Sequence, residues 1–103
     1  MISTVYAVFA DAAEAERIAE TVVNEGLAAC ANILAPCRSV YRWQGAIEKA
    51  VEVPVLFKTA QPDALIARVA ALHSYDVPAI VAWPIVHSHQ PYAEWIVANS
   101  QLD

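Results

Sequence analysis

The sequence has little glycine, little cysteine and few basic residues, and each shortage argues against a class of protein. With only Gly26 and Gly45, the chain lacks the glycine-rich loop that cradles phosphates in P-loop and dinucleotide sites. Six Lys and Arg residues stand against eleven Asp and Glu residues, which gives a formal net charge of -5. The basic residues are scattered, so we expect neither nucleic acid nor an anionic membrane surface as a partner.

The two cysteines are expected to be reduced. Cys30 and Cys37 lie seven residues apart on what reads as one strand, so their side chains point to opposite faces unless a bulge at Ala35-Pro36 intervenes. Their spacing also matches no CxxC-type zinc motif. Because the apolar N-terminal stretch lacks a basic segment, we expect no signal peptide and predict a cytoplasmic protein.

Long hydrophobic runs are also missing, although the chain is rich in apolar residues. The apolar share is 58%, above the ~45–50% of a usual soluble domain. No run approaches the roughly 18–20 residues that would span a membrane. The length of 103 residues suits one domain over residues 1–103. The apolar surplus predicts that another subunit covers part of the surface.

Hydrophobic periodicity predicts the order strand, helix, strand, strand, helix, strand, helix. Asp11 is the predicted cap of the first helix and Gly26 its end, and the charges of that helix, Glu14 included, are expected in solvent. The other elements are a first strand over 3–10, a second helix opening at Pro62 and ending near His73, a strand over 79–86 and a last helix over 91–99.

Residues 25–59 predict two long strands folded back on each other at Gln44-Gly45, where Gly45 supplies the positive φ of a tight turn. Proline cannot donate to a ladder, so breaks are expected at Pro36 and Pro54. The fold class predicted is α+β, a ferredoxin-like βαββαβ sandwich with a long central hairpin and an extra C-terminal helix. One sheet face and the hairpin tip would need a partner.

His73 is the best candidate for chemistry, together with Tyr75 and Asp76. Histidine suits a metal or a proton shuttle, and Asp76 could orient it or add a ligand. Equally, His73 could cap the helix C-terminus, where the dipole favours a positive charge, while Asp76 makes a turn.

Two interpretations, a binding site or a solvent-exposed group, are also open for the other polar residues. His87 and His89 share a face if extended and could chelate an ion, or they lie in a solvated loop. Glu52 and Lys58 share a strand face and could line a polar pocket, or they are exposed charges. No motif argues for catalysis, so we expect a protein that is not an enzyme and has no organic cofactor.

Five blocks of sequence, in order along the chain, carry a resemblance to a known family: GLAACANI at 26–33, SVYRWQGAIE at 39–48, EVPVLFKT at 52–59, HSYDVPAIVAWPI at 73–85 and YAEWI at 92–96. Together they resemble the CutA family of divalent-cation tolerance proteins. The resemblance implies a tight homotrimer with a PII-like architecture, in which long strands pair between neighbours. It also implies a role in binding of, or response to, Cu²⁺ or other divalent metal ions. The alternative is a PII-like signalling or scaffold trimer that binds a small ligand or partner protein without metal.

The resemblance also implies site residues. His73 and Asp76 are the predicted metal ligands, and an intersubunit cleft is predicted from Cys30, Trp43, Glu52, Lys58, Tyr75, Tyr92 and Trp95. The family pattern His-Pro-Tyr-Glu-x-Pro-Glu is altered here, since Ser74, Asp76 and Ala79 replace its first Pro and its two Glu residues. Leu72 and Phe9 stand where family members have a second histidine and a cysteine.

Overall fold

The sheet is organised around a central strand, β1 (Ser3–Phe9). A computed structural model describes residues 1–101, and within them the chain forms one five-stranded antiparallel sheet and three helices. The remaining elements are α1 (Ala12–Asn24), β2 (Cys30–Ile33), β3 (Cys37–Trp43), β4 (Ala46–Thr59), α2 (Pro62–Leu72), β5 (Ile80–Pro84) and α3 (Gln90–Asn99). The predicted α+β class is confirmed. The single domain over 1–103 stays a prediction, and its last two residues lie outside the described ones.

The long strand β4 has different neighbours along its two halves. Its first half pairs with β3, from Trp43↔Ala46 to Cys37↔Glu52. Its second half pairs with β2, from Ile33↔Val55 to Cys30↔Lys58, and β1 lies on its other side. The break expected at Pro54 is wrong, because β4 runs unbroken through this residue, and its neighbour changes from β3 to β2 between Glu52 and Val55. Between β2 and β3 the chain leaves the ladder at 34–36, as predicted for Pro36.

The hydrophobic core lies between one face of this sheet and the helices α1 and α2. Alternate residues of β1 and β4 point into it, and Phe9 and Phe57 are fully buried there. The helices contribute four residues of α1 and two of α2: Ala15, Ile18, Ala19, Val22, Leu65 and Val69. The third helix packs elsewhere, with Ile96 against Ile2 and Ala29. Among residues 1–101, no helix has the length and apolar character needed to cross a membrane.

The hairpin of β3 and β4 turns at the predicted residues. Gln44 has φ 50° and Gly45 has φ 82°, the pair of positive values that defines a type I′ turn. Its arms expose large apolar side chains, with Val40 66% and Val51 64% accessible. The hairpin therefore presents apolar surface that this subunit does not bury.

Candidate functional site

A cavity of about 690 Å³ opens between the sheet face opposite the helices, the β3 arm of the hairpin and the link from Ser74 to Ala79. β1 contributes Tyr6 and Val8, and β4 contributes Glu52. Three residues of the predicted cleft, Trp43, Glu52 and Tyr75, meet here, and so does Asp76. A concave site of this size suits a small ligand.

Glu52 and Tyr75 form the polar centre of the cavity. The Tyr75 hydroxyl donates to Glu52 Oε2 at 2.9 Å. Burial, and then the hydrogen bond and negative charge of Glu52, raise the pKa of Tyr75 to about 12. Glu52 is only 7% exposed, so the reading of this residue as an exposed strand charge is wrong. Tyr75 therefore remains a protonated donor at neutral pH.

His73 lies behind the cavity with both ring nitrogens engaged. The Val8 carbonyl can only accept, so Nε2 donates to it at 2.7 Å. That tautomer leaves Nδ1 to accept from the backbone N–H of Tyr75 at 3.1 Å. The ring stacks on Phe9 at 4.9 Å between centroids. His73 is also the C-cap of α2, as one sequence reading expected.

Glu14 was missed as a member of this cluster. The prediction that it faces solvent is wrong, because it is 7% exposed and its Oε1 lies 3.7 Å from His73 Nδ1. Since that nitrogen already accepts from Tyr75, Glu14 Oε1 receives no hydrogen bond from the described residues. The sequence held a signal for this: Glu14 lies four residues before Ile18 and eight before Val22, on the buried stripe of α1.

The remaining predicted cleft residues, Cys30, Lys58, Tyr92 and Trp95, are not among those that line the cavity. Cys30 and Lys58 are paired across β2 and β4. The Cys30 thiol lies 3.4 Å from the Tyr92 hydroxyl, and Tyr92 stacks on Trp95. The contact with Cys30, followed by burial, raises the pKa of Tyr92 to about 12. In one subunit, the predicted cleft is therefore two separate groups.

The donor set of a single subunit does not fit a metal ion. Across residues 1–101, no three His, Cys, Asp or Glu side chains lie close enough together to hold one. His73 would have to break its bonds to Val8 and Tyr75 to ligate, whereas Asp76 is exposed. His73 and Asp76 as metal ligands stay a prediction.

A protein-family comparison bears on this geometry. The model of the CutA1 divalent ion tolerance protein family matches residues 3–99. The chain belongs to this family. A CutA1 relative from Thermus thermophilus, a divalent-cation tolerance protein, is 45% identical over 89 residues, which cover 84% of this chain and 85% of the relative. One from Pyrococcus horikoshii is 36% identical over 99 residues, covering 94% and 96%.

Solved CutA1 structures share the fold. The divalent cation tolerance protein of Thermus thermophilus superimposes with a TM-score of 0.94 at 39% identity, covering 98% of this chain and 100% of that one. The CutA protein of Archaeoglobus fulgidus gives 0.93 at 35% identity, with the same coverage. The chain spans about half the length of the rice, Arabidopsis, mouse and human relatives, 46–48% of each.

The comparisons correct the predicted location. The Archaeoglobus fulgidus structure is described as that of a periplasmic divalent cation tolerance protein, which contradicts the cytoplasmic prediction for this CutA1 chain. That prediction relied on two unpaired cysteines and on the N-terminal residues. A family fold stabilised by a hydrophobic core needs no disulfide, so free cysteines do not identify its compartment.

Proposed function

We propose that this chain acts as a homotrimeric divalent-cation tolerance protein whose subunits share the surface of the β3–β4 hairpin. Family membership supports the cation role, and the exposed apolar arms of the hairpin carry the assembly. Side chains there are too accessible for a protein that works as a monomer, with Val40 at 66% and Ile47 at 57%. The strand order β2-β4-β1-β5 supports a ferredoxin-like subunit within this proposal.

Cu²⁺ or another divalent ion is part of the same proposal, held by side chains from more than one subunit. A single subunit lacks three clustered donors among its described residues, and symmetry would bring equivalent donors together. Asp76 is the better placed of the two predicted ligands because it is exposed at the cavity. The proposal includes no chemical reaction.

Calorimetric titration of Cu²⁺ into the purified protein tests the cation role. Asp76→Asn and His73→Gln are expected to weaken binding if these residues ligate, whereas Glu16→Gln, a change at an exposed α1 carboxylate, is expected to leave it unchanged. Because the His73 ring is buried, its variant must first be shown to fold by circular dichroism. Identical binding curves for all four proteins would remove both residues from the site.

The cavity favours a second candidate function, a PII-like trimer that binds a small ligand or partner without metal. A concave site of about 690 Å³ with Trp43, Glu52 and Tyr75 on its walls is the observation behind it. A thermal-shift screen with nucleotides, anions and amines tests this candidate, since a ligand of the folded state raises the melting temperature. No shift at millimolar concentrations of any compound would argue against it.

A further inference from the structure

The cavity between the sheet and the β3 arm has walls of one electrostatic character. Glu52 and Asp76 supply carboxylates, and four aromatic rings belong to Tyr6, Tyr41, Trp43 and Tyr75. No Lys, Arg or His of the described residues lines it. Both kinds of group attract positive charge, the carboxylates directly and the rings through the negative potential of their faces.

Glu52 is a buried carboxylate without a cation. It is 7% exposed, and its only side-chain hydrogen bond within residues 1–101 is the one that Tyr75 donates to Oε2. No described Lys, Arg or His forms an ion pair with it. Burying a carboxylate is costly unless an opposite charge or further donors compensate. The cavity beside Glu52 is where that charge would be placed.

The aromatic walls indicate which kind of cation would bind in the cavity. Tyr41 is 42% and Trp43 46% exposed, so their rings have surface free for a ligand. A divalent metal ion favours a cluster of carboxylate, imidazole or thiolate donors, and among residues 1–101 of a single subunit no three such side chains lie close enough together to hold one. An ammonium or guanidinium group with a hydrocarbon portion matches both features.

We propose that this cavity binds a small organic cation, with its ammonium or guanidinium group at Glu52 and its hydrocarbon part against Tyr41 and Trp43. The proposal gives a ligand class to the ligand-binding candidate above and rests on it. An Arg or Lys side chain from a second copy has the same chemistry, and the hairpin carries three such exposed residues, Arg38, Arg42 and Lys49. The experiment must therefore distinguish a free organic cation from an Arg or Lys side chain of a neighbouring copy.

Calorimetric titration of the assembled protein with tetramethylammonium, agmatine and spermidine chlorides is the test, with sodium chloride as the blank. At least one of these cations is expected to bind saturably. Glu52→Gln is expected to weaken binding about tenfold or more, because it removes the charge-assisted contact while keeping an acceptor for Tyr75. Trp43→Ala should weaken it by about 2- to 30-fold, and Trp43→Phe by less. Glu16→Gln, the same change on the exposed face of α1, should have no effect.

Four outcomes would overturn the proposal. The first is that none of the three cations binds the folded, assembled protein. The second is that they bind only after Arg38→Gln, Arg42→Gln and Lys49→Gln are combined, which would assign the cavity to a side chain of a neighbouring copy. The third is binding that Glu52→Gln and Trp43→Ala leave unchanged. The fourth is a nucleotide or anion that binds while organic cations do not, which would leave the ligand-binding function standing and remove only the ligand class.

Discussion

At the scale of single residues, two carboxylates, Glu14 and Glu52, occupy buried positions without a Lys or Arg partner among residues 1–101. Glu52 receives a hydrogen bond from Tyr75, whereas Glu14 Oε1 receives none from residues 1–101. Glu52 Oε2 accepts from the Tyr75 hydroxyl, and Glu14 Oε1 lies 3.7 Å from His73 Nδ1. The short segment 73–75 therefore contacts both carboxylates. Both raise the pKa of Tyr75, Glu52 through a hydrogen bond and its charge and Glu14 to a smaller extent through its charge. The titration of Tyr75 therefore reports mainly on Glu52.

Replacing Glu52 by Gln should lower the pKa of Tyr75 from about 12 toward 10. Burial would still hold it above the ordinary value, since burial is the larger cause of the shift. Between about pH 10 and 12, Tyr75 of the parent protein is protonated in the folded state and deprotonated in the unfolded state. Stability from this group is therefore complete below pH 10 and falls as pH rises toward 12.

Ultraviolet absorption of the phenolate measures this titration. Tyr92 also titrates near pH 12, so the Tyr75 signal is isolated by subtracting the curve of Tyr75→Phe. Glu16→Gln controls for the loss of one negative charge. A Tyr75 midpoint unchanged by Glu52→Gln would show that the negative charge of Glu52 does not act on the Tyr75 hydroxyl in solution.

Glu14→Gln should raise the free energy of unfolding by about 1 kcal/mol at neutral pH. Removing a buried charge that no hydrogen bond compensates gains about 1–3 kcal/mol, and losing a negative charge in the first turn of α1 returns about 0.3–1 kcal/mol. Chemical denaturation at fixed protein concentration measures the difference. Glu16→Gln on the same helix should change stability by less than about 0.5 kcal/mol, and destabilisation by Glu14→Gln would mean that Glu14 does have a partner.

The sequence predicts only part of the candidate site. Trp43, Glu52 and Tyr75 meet in one cavity of the subunit, because strand alternation and the hairpin register place the first two on one wall. The intersubunit cleft itself stays a prediction. Cys30 and Tyr92 do meet each other, but away from the cavity, since helix packing is not encoded in spacing. The charge of Glu14 predicts a solvated side chain, whereas its position on the α1 stripe predicts a buried one, as the structure has it.

At the scale of elements, the sequence predicts the three helices, the turn between β3 and β4, and strands β1, β4 and β5, whereas β2 and β3 were expected to be one strand with an interruption at Ala35-Pro36. Pro36 marks the interruption at 34–36 because a missing N–H is a local property, whereas the break expected at Pro54 does not occur. Strand ends were less accurate: the strand expected over 79–86 is β5 (Ile80–Pro84). The paired residues of β5 stop at Pro84 because its partner β1 begins at Ser3, and that depends on pairing rather than on composition.

Gly45→Ala should destabilise the protein by about 1–2 kcal/mol, the cost of a left-handed backbone at a residue with a Cβ. Gly45 has φ 82°, and no described atom lies within 4 Å of the position that a Cβ would occupy. Backbone strain alone is therefore responsible. Gln44→Asn is the matched variant and should stabilise the turn, because Asn tolerates the φ of 50° better than Gln does. Guanidinium unfolding of both variants gives the two signs, and a neutral Gly45→Ala would mean that the turn changes type.

At the scale of the molecule, the hairpin extends beyond the body of the subunit. The principal extents are 45 × 25 × 22 Å and the radius of gyration is 14.1 Å, against about 13 Å for a compact domain of this length. Apolar side chains along the protruding arms stay in water in a monomer, so they contribute no hydrophobic stabilisation there. This shape is explained if the arms are buried between copies of the chain, which is how the apolar surplus of the sequence was first interpreted.

Val51→Glu should therefore dissociate the assembly into smaller species at micromolar concentration. Val51 is 64% exposed in the subunit and lies on β4 opposite Arg38, so the substitution is harmless to an isolated fold but would bury a charge in an interface. Ala67→Glu, at an exposed position of α2, adds the same charge to the helix layer and should leave the assembly intact. Light scattering coupled to size exclusion gives the mass of each variant. If the parent protein ran as a folded monomer, or if Val51→Glu kept the parent mass, the hairpin arms would have to be exposed for some purpose other than self-association.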